Sequence, residues 1–293
     1  MNRLINSTVV ETIRTFALQS LLFEAKLAPK PGLVDPFSNG AHQDMTYTTF
    51  LNSSYALAPY FSDYFLLGLN HQGTPTELFQ KVRLRGQVAE QAMLAKTKGI
   101  NTHKGANFSL ALILSSLGKQ MQEQTVKLPF SQNEIAMILA YVQQMTADIL
   151  SLDFTALQQK GTLTNGEKLY LQHGITGIRG EAQAGYPVLQ TTALPFIRTQ
   201  AGKSPCETFQ LLLLLLMATV EDSNLIHRGG VAAWKKVQEQ AAQLFQTYSK
   251  DTTGLTAALK TFDRQLIKEN LSPGGSADLL ALSYFFAQLE GFV

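Results

Sequence analysis

Apolar residues along this chain recur at three- and four-residue spacing. Val9, Ile13, Phe16 and Ala17 mark a first helix, and Leu279, Leu282, Phe286 and Leu289 mark a last one. Helix starts are signalled by a hydroxyl residue followed three positions later by an acid. Thr8 with Glu11, Thr74 with Glu77, Ser131 with Glu134, and Ser204 with Glu207 all fit that pattern. Pro75 and Pro205 follow their caps directly, where a missing N–H costs nothing. Phe61, Tyr64 and Phe65 fall on one face and read as core residues. Sustained strand alternation is absent, so the pattern predicts an all-α protein. Connections are expected near Gly68 to Thr74, Gly118 to Ser131, Gly161 to Gly177, and Ser249 to Gly254. None is long and no repeat divides the chain, so residues 1–293 are expected to form a single compact multi-helix domain.

The most apolar run, Leu211 to Val220, includes six consecutive leucines. It is well short of the roughly 20 residues needed to span a bilayer and reads as the central buried helix. The first residues are interrupted by Glu11 and Arg14 and lack a signal peptide's apolar core, which makes the cytoplasm the expected location. Lys plus Arg is 24 and Asp plus Glu is 22, a net charge of +2 that offers no global field for nucleic acid or an acidic membrane. A single cysteine, Cys206, excludes an internal disulfide and reads as a buried small hydrophobe near a helix start.

Glycine and reactive side chains group into five segments: Lys30 to Met45, Gly99 to Ser109, His173 to Pro187, Glu221 to Gly230, and Ser272 to Asp278. Four of the five histidines lie in them, His42, His103, His173 and His227, while His71 reads as a solvated loop residue. A helix beginning near Thr102 would aim free amides at an anion, with Lys104 adding a full charge. Asp278 reads either as a helix-start acid or as a holder of a cation bound to phosphates. If helix continues through the fourth segment, Glu221, Asn224 and Arg228 share one face, and a Glu–Arg bridge competes with phosphate binding for Arg228. Glu221 and Asp222, hard oxygen ligands after a buried helix, suit Mg²⁺ carrying a phosphate. Arg179 suits bidentate phosphate recognition. Glu181 reads as a metal ligand, a base, or the partner of Arg179. HExxH spacing is absent, which argues against a histidine-held zinc.

In order, APKPGLVDPFSNGAHQDM, GINTHKGANFSLAL, GIRGEAQAGYP, VEDSNLIHRGG and SPGGSADLLALSYF resemble the triphosphoribosyl-dephospho-CoA synthase family, from about Glu24 to Phe285. The NGAHQDM stretch looks more like its citrate lyase branch than its malonate decarboxylase branch, and the chain looks like the stand-alone enzyme. The resemblance implies a transferase that joins ATP and 3′-dephospho-CoA, releases adenine, and forms the precursor of the citrate lyase acyl carrier prosthetic group. With that chemistry, Lys30, Asn101, Thr102, Lys104, Arg179, Arg228, Gly229, Gly274, Gly275 and Ser276 become candidate substrate and phosphate contacts. Glu221 and Asp222, with Asp278, become candidate holders of Mg²⁺. Glu181 is the first candidate for general base and Asp35 the second. His103 or His227 would assist adenine departure or donate to phosphates. Gln183 stands where relatives are expected to carry an acid, so no essential role falls to it. A Mg²⁺-dependent ribosyl hydrolase, and a nucleotide- or CoA-binding assembly factor without chemistry, are the competing readings.

Overall fold

A computed structural model describes residues 7–123, 127–155, 157 and 163–293. Gly161, where one connection was expected to begin, lies outside the described residues. The described residues form helices joined by loops, with no strand. The helices are α1 (Ser7–Lys26), α2 (Tyr47–Leu69), α3 (Pro75–Lys96), α4 (Lys104–Glu123), α5 (Gln132–Met145), α6 (Ile149–Phe154), α7 (Asn165–His173) and α8 (Gly177–Gln183). A short π-helical turn, Leu189–Ala193, leads into α9 (Leu194–Thr199). Then come α10 (Pro205–Thr219), α11 (Ser223–Tyr248), α12 (Leu255–Lys268) and α13 (Gly274–Leu289).

α2 packs against α1, α3 and α4, and α13 closes the group against α1, α4 and α10. Phe61, Tyr64 and Phe65 point into this core and are fully buried, as their spacing predicts. All six leucines of α10 belong to the core or pack against it. Burying a leucine contributes about 1.5–3 kcal/mol, so this run anchors the molecule. No single helix among the described residues is long and apolar enough to cross a membrane, and the bent pair α10–α11 that passes on length and composition has α10 buried in the core.

The capping boxes at Thr74/Glu77 and Ser131/Glu134 form as expected, and further boxes form at Thr46/Thr49 and Thr164/Glu167. Two expected boxes do not form. α1 already runs through Thr8, and Glu11 pairs with Arg14 one turn on. Ser204 makes no side-chain cap, and Glu207 instead accepts from Thr252 Oγ1 at 2.9 Å. Cys206 is exposed because burial along α10 begins only at Thr208, two residues further in. His71 is buried, with its Nε2 2.8 Å from the carbonyl of Thr74, because the α2–α3 turn folds over it.

The helix does not continue through Glu221. α10 and α11 meet at a 58° bend, and Asp222 caps the new helix. Glu221 therefore leaves the face shared by Asn224 and Arg228, and no Glu221–Arg228 bridge forms. α11 is kinked where Gly230 takes φ 77°, a conformation that side-chain-bearing residues rarely adopt.

Candidate functional site

One cavity of about 1160 Å³ opens where α4, α8 and α13 start and α3 passes. All five glycine-rich segments send residues to its wall. Of the expected residues, Lys30, Asn101, Thr102, His103, Lys104, Arg179, Glu181, Glu221, Arg228, Gly274, Gly275 and Asp278 line it. Asp35, Asp222, His227, Gly229 and Ser276 do not.

The residues off the wall have local reasons for their placement. Asp35 is buried and accepts three backbone N–H groups, from Lys30, Phe37 and Ser38, so it folds its own loop. Asp222 Oδ1 accepts from the amides of Asn224 and Leu225, and Oδ2 from the amide and hydroxyl of Ser276. Those four bonds use the carboxylate's acceptor capacity and tie Ser276 to the same task. Burial nonetheless raises the Asp222 pKa, the hydrogen bonds opposing it. His227 and Gly229 are exposed on α11, and a Cβ on Gly229 would meet the side chains of Ala233 and Leu271.

The inner wall gathers buried ionisable groups. Lys30 and Glu24 form an ion pair with both side chains almost inaccessible. Glu24 falls on the buried stripe of α1 with Ala17 and Leu21, and an acid on such a stripe demands a partner. Asp278 comes from the first turns of α13 and accepts the amide of Ala106 at the start of α4. A Cβ on Gly105 would lie 2.0 Å from Asp278 Oδ2, so only glycine lets this carboxylate rest on α4. The free amides of α4 thus face a protein acid. Burial, then the charges of Glu24 and Asp222, push the Asp278 pKa well above the usual carboxylate range.

His103 is buried, and its Nδ1 lies 2.7 Å from Ser53 Oγ, which accepts from Thr102 Oγ1 at 2.6 Å. With Thr102 donating, the Ser53 proton is directed at Nδ1, which places the ring proton on Nε2. Nε2 has no partner among the described residues. Desolvation, with the nearby charge of Lys30, pushes the His103 pKa down to about 3, so the ring is neutral. His42 is held similarly: Arg228 Nη2 donates to its Nδ1 at 3.1 Å, and its Nε2 faces Ser272 Oγ at 2.9 Å. Arg228 also donates to the carbonyls of Ala41 and Asn270 and to the Asn270 side chain.

On the outer wall, Lys104 pairs with Glu90 at 2.6 Å, and Asn101 Oδ1 accepts the Lys104 amide. Arg179 pairs with Asp153 at 2.7 Å, not with Glu181, and Arg83 meets the other oxygen of Asp153 at 2.6 Å. Glu181 makes only a long contact to the amide of Val188, and burial raises its pKa. Among the described residues no three His, Cys, Asp or Glu side chains converge as a metal cage. Glu24, Arg83, Glu90 and Asp153 were not singled out in the sequence, since none lies in a glycine-rich segment. Arg83, Gln87 and Glu90 do recur at helical spacing on α3, a polar face that could have marked them.

A helical shell around one cavity, with cations on its wall and perturbed acids between them, has the features of an enzyme site that takes an anionic ligand. The family model described as CitG, ATP:dephospho-CoA triphosphoribosyl transferase, matches residues 10–292, and the chain belongs to that family. It is an enzyme of the transferase class. A probable 2-(5″-triphosphoribosyl)-3′-dephosphocoenzyme-A synthase of Streptococcus equi subsp. equi is 48% identical over 288 residues, 96% of this chain and 98% of that protein. A protein of the same description from Streptococcus pyogenes serotype M49 is 44% identical over the same length. No solved structure matches the chain.

Proposed function

We propose that this cavity transfers the triphosphoribosyl group of ATP to the ribose 2′-hydroxyl of 3′-dephospho-CoA, releasing adenine. The observation that carries the reading is the convergence of Lys30, Lys104, Arg179 and Arg228 on one wall with Glu181, Asp278 and His103.

The bond broken joins C1′ of ATP to adenine, through a transition state with oxocarbenium character. Glu181 is the general base. It takes the proton of the attacking 2′-hydroxyl, and burial gives it the raised proton affinity that such a task favours. Asp278, kept protonated by burial and by its anionic neighbours, donates to adenine as the C1′–N bond breaks and its electron pair departs with the base. One proton leaves the hydroxyl and one reaches adenine, so the step balances. His103, neutral with its proton on Nε2, is placed to donate a hydrogen bond without changing charge.

Mg²⁺ fits this site as a passenger on the triphosphate, not as a caged ion. Asp222 has no lone pair to spare, whereas Glu221 is exposed on the wall, has no ion pair among the described residues, and would hold the ion. When bound, it would neutralise phosphate charge. The wider role that follows is supply of the citrate lyase acyl carrier precursor, in the cytoplasm.

The test is a mass-resolved assay with ATP, 3′-dephospho-CoA and Mg²⁺. Adenine together with a triphosphoribosyl adduct, each requiring both substrates, is the expected result. Adenine without adduct would overturn the reading in favour of hydrolysis. Neither product would leave a binding factor.

A further inference from the structure

We propose that Arg83 and Arg179, held by their shared Asp153, seat the triphosphate chain of the nucleotide. The inference rests on the reading above and adds to it the orientation of the two substrates. Asp153 is nearly buried; its Oδ2 accepts from Arg179 Nε at 2.7 Å, and its Oδ1 lies 2.6 Å from Arg83 Nη1 as an ion pair without a hydrogen bond's alignment. The three residues come from α3, α6 and α8, so the grouping is tertiary and all of it lines the cavity. Aromatic rings back both cations. The Arg179 guanidinium carbon lies 5.8 Å from the centroid of Phe154, and that of Arg83 lies 5.9 Å from Phe79.

The charge count narrows the choice to two places, and the count of free donors decides between them. Lys30 and Lys104 are each matched by one carboxylate, Glu24 and Glu90. Asp153 meets two arginines, which leaves one net positive charge and several N–H groups on two planar forks. Such forks suit bidentate recognition of phosphate oxygens. Arg228 also keeps a net positive charge, having no ion-paired carboxylate among the described residues, but its bonds to Ala41, Asn270 and His42 leave it fewer free donors. A chain of three phosphates belongs on the richer site, and the diphosphate of the acceptor on Arg228. Asp153 is a positioning residue, holding the forks a fixed distance apart.

The test compares the wild type with Arg83→Gln and Arg179→Gln, varying each substrate in turn and titrating inorganic tripolyphosphate by calorimetry. The expected result is a rise in KM for ATP of about tenfold or more, with KM for 3′-dephospho-CoA changed less than twofold. Tripolyphosphate should compete with ATP in the wild type and bind about tenfold more weakly to each variant. An equal rise in both KM values, or tripolyphosphate affinity unchanged in both variants, would overturn the inference. A wild type that produces no adenine would end the transferase reading, while the calorimetry still decides whether the arginines hold a triphosphate. Arg83→Lys separates charge from fork geometry: ATP affinity restored less than halfway is expected, and full recovery would overturn the bidentate seat.

Discussion

Replacing Gly105 by alanine separates the placement of Asp278 from its chemistry. The new Cβ would fall 2.0 Å from Asp278 Oδ2, whereas ordinary contact begins near 3.4 Å, so the carboxylate must retreat by about 1.4 Å. The obstacle is the end of a side chain, and rotation relieves it without moving either helix. Alanine in the first turn of α4 gains at most about 1 kcal/mol over glycine. Losing the hydrogen bond from the Ala106 amide costs about 1–2 kcal/mol. The protein should therefore unfold in urea within about 2 kcal/mol of the wild type. Catalysis should suffer far more, since a displacement near 1 Å at a reacting group can cost about 100-fold. The assay is adenine release under saturating substrates, beside a urea melt of the same preparation. A variant that melts like the wild type and keeps its kcat within threefold would refute the assignment of Asp278 as the acid.

Glu181→Gln should lower kcat by about 100-fold or more while both KM values stay within threefold, as expected for a base that acts in the chemical step. Because burial raises the Glu181 pKa, the acidic limb of the wild-type rate profile should lie above the usual value of a free glutamate and vanish in this variant. Asp278→Asn carries a stability signature. From about pH 4 upward the folded state keeps a proton on Asp278 that the unfolded chain releases, so wild-type stability falls as pH rises towards the folded pKa. Urea melts should show the variant gaining on the wild type as pH rises from about 4, and a difference constant with pH would contradict the protonated acid. Asp222→Ala removes four hydrogen bonds and should destabilise the fold by about 3–5 kcal/mol, and any folded fraction should need no more Mg²⁺ than the wild type. His103, with its pKa near 3, should show no imidazole titration by NMR from pH 5 to 8.

The helical architecture was legible because apolar spacing, proline placement, the leucine run and the boxes at Thr74 and Ser131 agree locally, although the boxes expected at Thr8 and Ser204 do not form. The site was legible as a set of segments, since glycine is needed wherever helix starts crowd together. Individual roles were less so. Asp35 reads as a base and Asp222 as a metal ligand in the sequence, yet each answers the hydrogen-bond demand of a tight turn, and only coordinates reveal that their lone pairs are taken. Arg83, Asp153 and Glu24 sit in ordinary amphipathic helices, where a charged residue on a stripe carries no sign of the cavity it faces. Glu221 was expected on a continuing helix, but the bend at Asp222 redirects it.

Asp222 has a consequence beyond its helix cap. One carboxylate holds the opening turn of α11 and, 54 residues later, the opening turn of α13. Neither segment can be exchanged for that of a relative without a partner shaped to the same knot. In a chimera, the stretch from 221 to 278 should behave as one heritable cassette: swapped whole it should fold, and divided between α11 and α13 it should not.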